Sequence, residues 1–260
     1  MTLDVARYLD RLAYDGPTEP TIETLRALHR AHLVAVPFEN LDVFNGIPVE
    51  VDLDWAITKV VERRRGGWCF ELNVAFGALL EALGFDVRRL GAAVLLAGPT
   101  TVVDHLCLEV LLDDPWLVDV GFGALFVDPI RLDLAGPQSD DGGDFELLAS
   151  PQGATLARLD DGGVPQALYR FKRVALGLAD FEPASQRLQE DHSLHWHQRP
   201  MASRLLGPTD GGSGADRVTL SGAELVVRRG GERTVTEIDP DDWPDRCEEW
   251  FGFRFRPRHW

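Results

Sequence analysis

Three cysteines are scattered over 260 residues, an odd number with no paired spacing. That excludes a disulfide-stapled secreted module and fits a reducing compartment. No apolar run approaches the length needed to cross a bilayer as a helix. The opening residues, Met1 to Tyr8, lack the basic stretch and apolar run of a secretory signal. A cytoplasmic protein is therefore expected. Positive charge is also scarce: 26 basic side chains face 42 acidic ones, for a net charge of −16. Such a chain makes a poor nucleic-acid binder, because neutralising phosphates takes a basic surface. Internal repeats and low-complexity tracts are absent. What is present is a globular composition, 45% hydrophobic, enough for a sizeable core.

The loop Arg63-Arg64-Arg65-Gly66-Gly67-Trp68 runs into Cys69, where a helical pattern begins. Leu72, Ala75, Phe76, Leu79, Leu80 and Leu83 recur at three- and four-residue steps, and Gly84 ends the pattern. A thiol in the first turn of a helix sits among unpaired backbone N–H groups. Their partial positive charge, with that of nearby arginines, favours the nucleophilic thiolate. Gly66 and Gly67 would admit a substrate close to the backbone. Taken alone, a lone cysteine is almost as readily a small buried hydrophobe, the reading that suits Cys107 and Cys247.

His105 opens a strand pattern in which Leu106, Leu108, Val110 and Leu112 share one face. His105, Cys107, Glu109 and Leu111 take the other. After the turn Asp113-Asp114-Pro115, a second strand reads Trp116 to Gly121, with Asp119 on the face of Leu117. A carboxylate inside so apolar a strand needs a partner, and His105 is the attractive one. A flat hairpin sets Asp119 nearer Leu108 than His105. Twist, a bulge or barrel stagger must bring the two together.

In outline, residues 1–84 read as helices. One opens at Thr21 and carries Leu25, Leu28 and Leu33; a second, capped by Asp54, carries Ile57, Val60 and Val61. Residues 85–200 read as short β-runs between turns. Thr209 to Gly214 reads as a flexible loop. Arg217–Leu220 and Ala223–Arg228 then form a hairpin turning at Ser221-Gly222, and a short acidic helix starts at Asp241.

Four segments occur in one order: Val36-Pro37-Phe38-Glu39-Asn40-Leu41-Asp42, Arg64 to Asn73, His105 with its strand, and Trp116 to Gly123. In sequence and approximate spacing they resemble the arylamine N-acetyltransferase family, over roughly the first half of the chain. The resemblance implies an α+β fold with a cysteine-peptidase-like core. An N-terminal helical bundle (1–84) carries the nucleophile, a central β-barrel (85–200) carries the histidine and aspartate, and a C-terminal α/β lid (201–260) follows. It implies a triad of Cys69, His105 and Asp119, and a pocket near Phe38 and Phe122. Gly67, Trp68, Gly121, Gly123, Ser193 and His197 complete the candidate substrate contacts. Glu39 and Asn40 fit a structural loop better than a binding role.

Such a triad forms an acyl-enzyme at Cys69 and transfers the acyl group by ping-pong kinetics. The implied donor is an acyl thioester such as acetyl-coenzyme A and the acceptor an arylamine, with no tightly bound cofactor and no metal. An alternative is the amide-synthase branch of the family, which takes a polyketide chain from an acyl carrier protein and closes it onto its own arylamine as a macrolactam. Two departures motivate that alternative. Glu190 to Pro200 replaces the family's Ser/Thr-rich stretch, and Ala124 follows the Gly-Phe-Gly motif where another glycine is common. His192, His195 and His197 share neither a strand face nor a helix face, so they make a poor metal set. A thioester of coenzyme A is anionic and needs a local positive patch. Arg63 to Arg65 are candidates; Arg254, Arg256 and Arg258 fit a solvated tail better. An inactive binding module and a cysteine peptidase are the remaining readings, disfavoured by the complete triad and by the Gly-Phe-Gly motif respectively.

Overall fold

A computed structural model describes residues 3–150 and 153–258. Met1 and Thr2 of the opening segment lie outside the described residues. The chain begins with helices α1 (Val5–Arg11) and α2 (Ile22–Ala35), a short strand β1 (Phe38–Glu39), and helices α3 (Leu41–Phe44), α4 (Leu53–Ile57) and α5 (Cys69–Ala82). Thr21 caps α2 by accepting from the Thr24 N–H at 3.2 Å. Asp52, not Asp54, caps α4, accepting from the Trp55 N–H at 2.9 Å. A π-helical turn, Thr58–Glu62, continues α4 and buries Lys59. Helix α5 is buried all round from Cys69 to Leu80, as its nearly unbroken apolar sequence requires. Gly84, at φ 92°, provides its left-handed stop.

An antiparallel sheet follows, made of β2 (Asp86–Val94), β3 (His105–Leu111), β4 (Pro115–Val118), β5 (Ile130–Arg131), β6 (Gln138–Asp140), β7 (Gly143–Ser150), β8 (Gly153–Leu159) and β9 (Pro165–Ala175). Its spatial order is β5-β4-β3-β2-β9-β8-β7-β6. Side chains join the two edges. Gln138 donates to the Arg131 carbonyl and accepts from the Arg131 N–H, each at 2.8 Å, reproducing a ladder pair. Asp140 accepts from the Val127 and Asp128 N–H groups beside it. The sheet is thereby nearly closed into a barrel. Helix α6 (Glu182–Glu190) returns to the helical core, where Phe181, Ala184 and Leu188 are buried.

The last part holds β10 (Met201–Leu205), β11 (Arg217–Ser221), β12 (Glu224–Arg229), β13 (Glu232–Glu237) and helix α7 (Trp243–Phe251). Its sheet runs β1-β10-β11-β12-β13, so β1 crosses from the helical part to form an edge. Ser221 pairs with Glu224. The hairpin therefore turns on Gly222-Ala223, one residue later than expected. Together these layers make an α+β fold. No helix among the described residues is long and apolar enough to cross a membrane.

Four charged side chains, Glu39, Asp42, Lys59 and Glu71, are buried between the helices and this last sheet, and the half-buried Arg65 joins them. Lys59 lies 2.7 Å from Asp42 and 2.8 Å from Glu71. Arg65 lies 2.6 Å from Glu39 and 3.0 Å from Asp42. The remaining carboxylate oxygens tie down backbone. Glu71 accepts from the Trp68 N–H at 3.2 Å and so caps α5, while Glu39 accepts from the Leu41 N–H at 2.8 Å. Burial opposes the Lys59 charge, yet Glu39, Glu71 and Asp42 outweigh it and hold the ammonium above its ordinary range. Asn40 donates to the Trp196 and Arg199 carbonyls and accepts from the Met201 N–H. Both residues act on backbone, as the sequence reading favoured.

Removing one partner from a buried charge network strands the others. Lys59→Met should therefore cost about 3–5 kcal/mol of unfolding free energy, read by urea denaturation. A loss below about 1 kcal/mol would show that the network does not anchor the start of α5.

Candidate active site

The alternation along β3 sorts its side chains between two cores. Leu106, Leu108 and Val110 pack with the helices, and Cys107 packs inside the barrel. On β4, Trp116 and Val118 join the helical core and Leu117 the barrel. The β3–β4 ladder pairs Leu108 with Val118 and ends there. The second strand is thus shorter than the expected Trp116–Gly121, and no bulge interrupts the pair. Beyond Val118 the chain bonds to α5 instead: the Val120 N–H donates to Asn73 Oδ1 at 3.0 Å. Released from the ladder, Asp119 reaches His105, with Nε2 and Oδ2 at 2.8 Å.

Asp119 is heavily supported. Asn73 Nδ2 and the Gly121 N–H each donate to its Oδ1 at 2.9 Å. Burial opposes its charge, but His105, Asn73 and the Gly121 N–H hold the carboxyl below its usual range. With Nε2 engaged by Asp119, Nδ1 of His105 is the nitrogen available to Cys69. Burial also opposes a charged imidazole, but the Asp119 carboxylate and the Cys69 sulfur outweigh it and raise His105 to about 10. Cys69 is the first residue of α5 and is buried. The backbone at Gly121 lies directly against it: a Cβ there would stand 2.6 Å from the Cys69 Cα. Cysteine, imidazole and carboxylate thus form one buried constellation at a helix N-terminus.

Around it stand aromatic rings. Phe122 and Tyr169 lie 5.3 and 5.1 Å from the His105 ring, centroid to centroid. Phe38 packs on Trp196 at 5.9 Å and runs beside Gly123. Gly67 pairs with Phe38 in a parallel bridge. Trp68 turns its ring into the core, edge-on to Phe70 at 5.5 Å. The glycines of this loop serve packing: a Cβ on Gly66 would stand 1.9 Å from the Pro37 carbonyl oxygen. Ser193 is exposed and donates to Asp191, while His197 bonds the Leu188 carbonyl and packs on His192. Neither meets Cys69, His105 or Asp119. His195 packs against Trp196 at 3.8 Å, apart from the other two histidines. Among the described residues no three His, Cys, Asp or Glu side chains converge in a metal-holding arrangement.

The expected positive patch is elsewhere. Arg65 is spent on Glu39 and Asp42, and Arg64 faces Asp10. Arg254 pairs with Asp245 and Glu248, and Arg256 with Asp241. Arginines 158, 217, 228 and 233 instead line a cavity beside Phe122 and Gly123. Sequence reasoning missed these, along with Tyr169 and His29. The buried His29 holds the Val127 carbonyl at 2.8 Å through Nδ1, leaving Nε2 for the Asp119 N–H at 3.4 Å. Its signal was a pair of histidines, His29 and His32, on the apolar side of α2 with Leu25 and Leu28.

Residues 21–259 match the N-acetyltransferase family. The chain is 34% identical over 248 residues to an arylamine N-acetyltransferase of Mycolicibacterium smegmatis, covering 92% of this chain and 87% of that protein. It is 40% identical over 219 residues to an arylamine N-acetyltransferase / N-hydroxyarylamine O-acetyltransferase of Salmonella typhimurium, covering 79% and 73%. The solved structure of Mycobacterium marinum arylamine N-acetyltransferase in complex with CoA superimposes with a TM-score of 0.85 at 32% identity, covering 96% and 93%. Fold, constellation and relatives agree: this chain belongs to the arylamine N-acetyltransferase family.

Proposed function

We propose that the protein acetylates arylamines, taking the acetyl group from acetyl-coenzyme A through a thioester on Cys69. The observation that carries this reading is the buried His105 ring, held by Asp119 at 2.8 Å through Nε2 and set beside Cys69 at the start of α5; the two neighbours raise the imidazole to about 10. Such a ring is cationic at neutral pH and favours a thiolate beside it. The coenzyme A complex of the Mycobacterium marinum relative supports the donor.

The Cys69 thiolate attacks the thioester carbonyl. The bond to coenzyme A sulfur breaks, and the leaving thiolate takes the proton of His105. The arylamine nitrogen then attacks the acetyl carbon, neutral His105 accepts its proton, and Cys69 departs as thiolate. Asp119 keeps the imidazole oriented and stabilises its cation. The Cys69 and Phe70 N–H groups, at the first two positions of α5, are the candidate donors to the developing oxyanion.

Cys69→Ala should form no acetyl-enzyme by intact mass spectrometry; an acetyl adduct in that variant would refute the nucleophile. Asp119→Asn should slow acetyl loading roughly 10³-fold or more while the fold survives. Native loading rates in that variant would remove Asp119 from the mechanism.

The same geometry sets a pH signature. His105 rises from 6.5 to about 10 on folding. Its stabilisation is complete below about pH 6.5 and fades as pH climbs toward about 10. The unfolding free-energy difference between the native protein and His105→Gln should shrink across that window. A difference that widened with pH would rule out a charged imidazole.

A further inference from the structure

Three arginines face one another across the last sheet. Arg217 pairs in register with Arg228, and Arg228 with Arg233. Cross-strand partners share a face, so the three guanidiniums form a row. Arg158 on β8 approaches the same space from the barrel and donates to the Ala124 carbonyl at 3.4 Å. Like charges directly opposite in a sheet are destabilising.

Acids outnumber bases 42 to 26 in this chain. Elsewhere in the C-terminal part, Arg199, Arg204, Arg246, Arg254 and Arg256 all hold carboxylates. Yet no acidic side chain among the described residues lines the cavity of about 460 Å³ that the row encloses. Arg217 is half-buried and donates to the neutral Ser203 hydroxyl at 3.2 Å. Burial and the neighbouring Arg158 and Arg228 charges pull it down to about 10. Arg158 Nε is buried with no hydrogen-bond partner among the described residues. Asp140, outside the cavity lining, offsets the Arg158 charge in part, but within the cavity itself the four arginines face no carboxylate among the described residues. The cavity also adjoins the proposed chemistry: Phe122, which packs on His105, and Gly123 form part of its wall.

We propose that Arg158, Arg217, Arg228 and Arg233 receive the phosphate groups of the thioester donor, and that they select the multiply phosphorylated nucleotide end of coenzyme A. The proposal rests on the acetyl-transfer reading above. Guanidiniums match phosphate oxygens in bidentate geometry. Four of them exceed what the single phosphodiester of a carrier-protein arm requires, which is why free coenzyme A is the assigned source. Bound phosphates would also relieve the repulsion within the row.

Arg228 and Arg233 are exposed, so Arg228→Gln and Arg233→Gln suit the test. Transfer is measured with acetyl-coenzyme A, with phosphate-free acetyl-pantetheine, and with an acetylated carrier protein. Each variant should raise KM for acetyl-coenzyme A about ten-fold, the loss of one charged hydrogen bond, with kcat unchanged. KM for acetyl-pantetheine should move less than two-fold. Equal changes with both donors, no change with either, or a change confined to the carrier protein would overturn the assignment. A second readout needs no turnover: pyrophosphate should raise the melting temperature of the native protein and not that of the double variant. If pyrophosphate stabilises only the native protein while every donor fails to acetylate, the anion site stands and the acetyl-transfer reading falls. If transfer proceeds and pyrophosphate stabilises both proteins alike, the anion site falls.

Discussion

One buried carboxylate joins the parts of this molecule. Asp119 receives His105 from the barrel and Asn73 from α5, and its own backbone rests on His29 of α2. Asn73 lies one helical turn beyond Cys69, so the side chain that orients Asp119 is fixed to the helix that carries the thiol. Asn73 also donates to the Leu106 carbonyl at 2.6 Å, next to His105. The proposed triad is thus assembled at a junction where helix and barrel share hydrogen bonds, and its geometry follows from the packing of those two layers. A buried carboxylate so placed is tolerable only because each oxygen is engaged.

Charge is handled in two opposite ways. Under the loop before Cys69, cations and carboxylates are buried together, and their hydrogen bonds reach backbone at both Trp68 and Leu41. Facing the barrel, Arg217, Arg228 and Arg233 align without acidic partners in their cavity. The first arrangement fixes a conformation through mutual neutralisation. The second leaves a cluster of positive charge with no carboxylate among the described residues of the cavity lining. An acidic chain that directs its carboxylates away from one cleft creates a local contrast that net charge conceals.

Much of this was legible in the residues. Cys69 opens α5 because an apolar run with helical spacing starts there and Gly84 ends it. The faces of β3 and β4 followed from strict alternation. The pairing of His105 with Asp119 was expected, but the geometry that achieves it was not legible, since it depends on where the ladder stops. That point is set by Asn73 capturing the Val120 N–H, a contact between residues 47 apart. The cap at Asp52 rather than Asp54, and the turn at Gly222-Ala223, are small offsets of the kind local propensity leaves open. The arginine row was invisible for a deeper reason: Arg217, Arg228 and Arg233 become neighbours only through strand register. Ser193 and His197 lie in the segment that departs from the family pattern, and local hydrogen bonds hold them to Asp191 and Leu188.

Strand β1 belongs at once to two structures. On one side it pairs with β10, Phe38 to Ser203 and Glu39 to Ala202; on the other, Phe38 bridges Gly67 in the loop before Cys69. During synthesis, residues 38 and 67 leave the ribosome long before residues 202 and 203 exist. The β10 partners of Phe38 and Glu39 are therefore unavailable until most of the chain has been translated. The loop before the thiol acquires its full support only late, when the C-terminal portion emerges and docks.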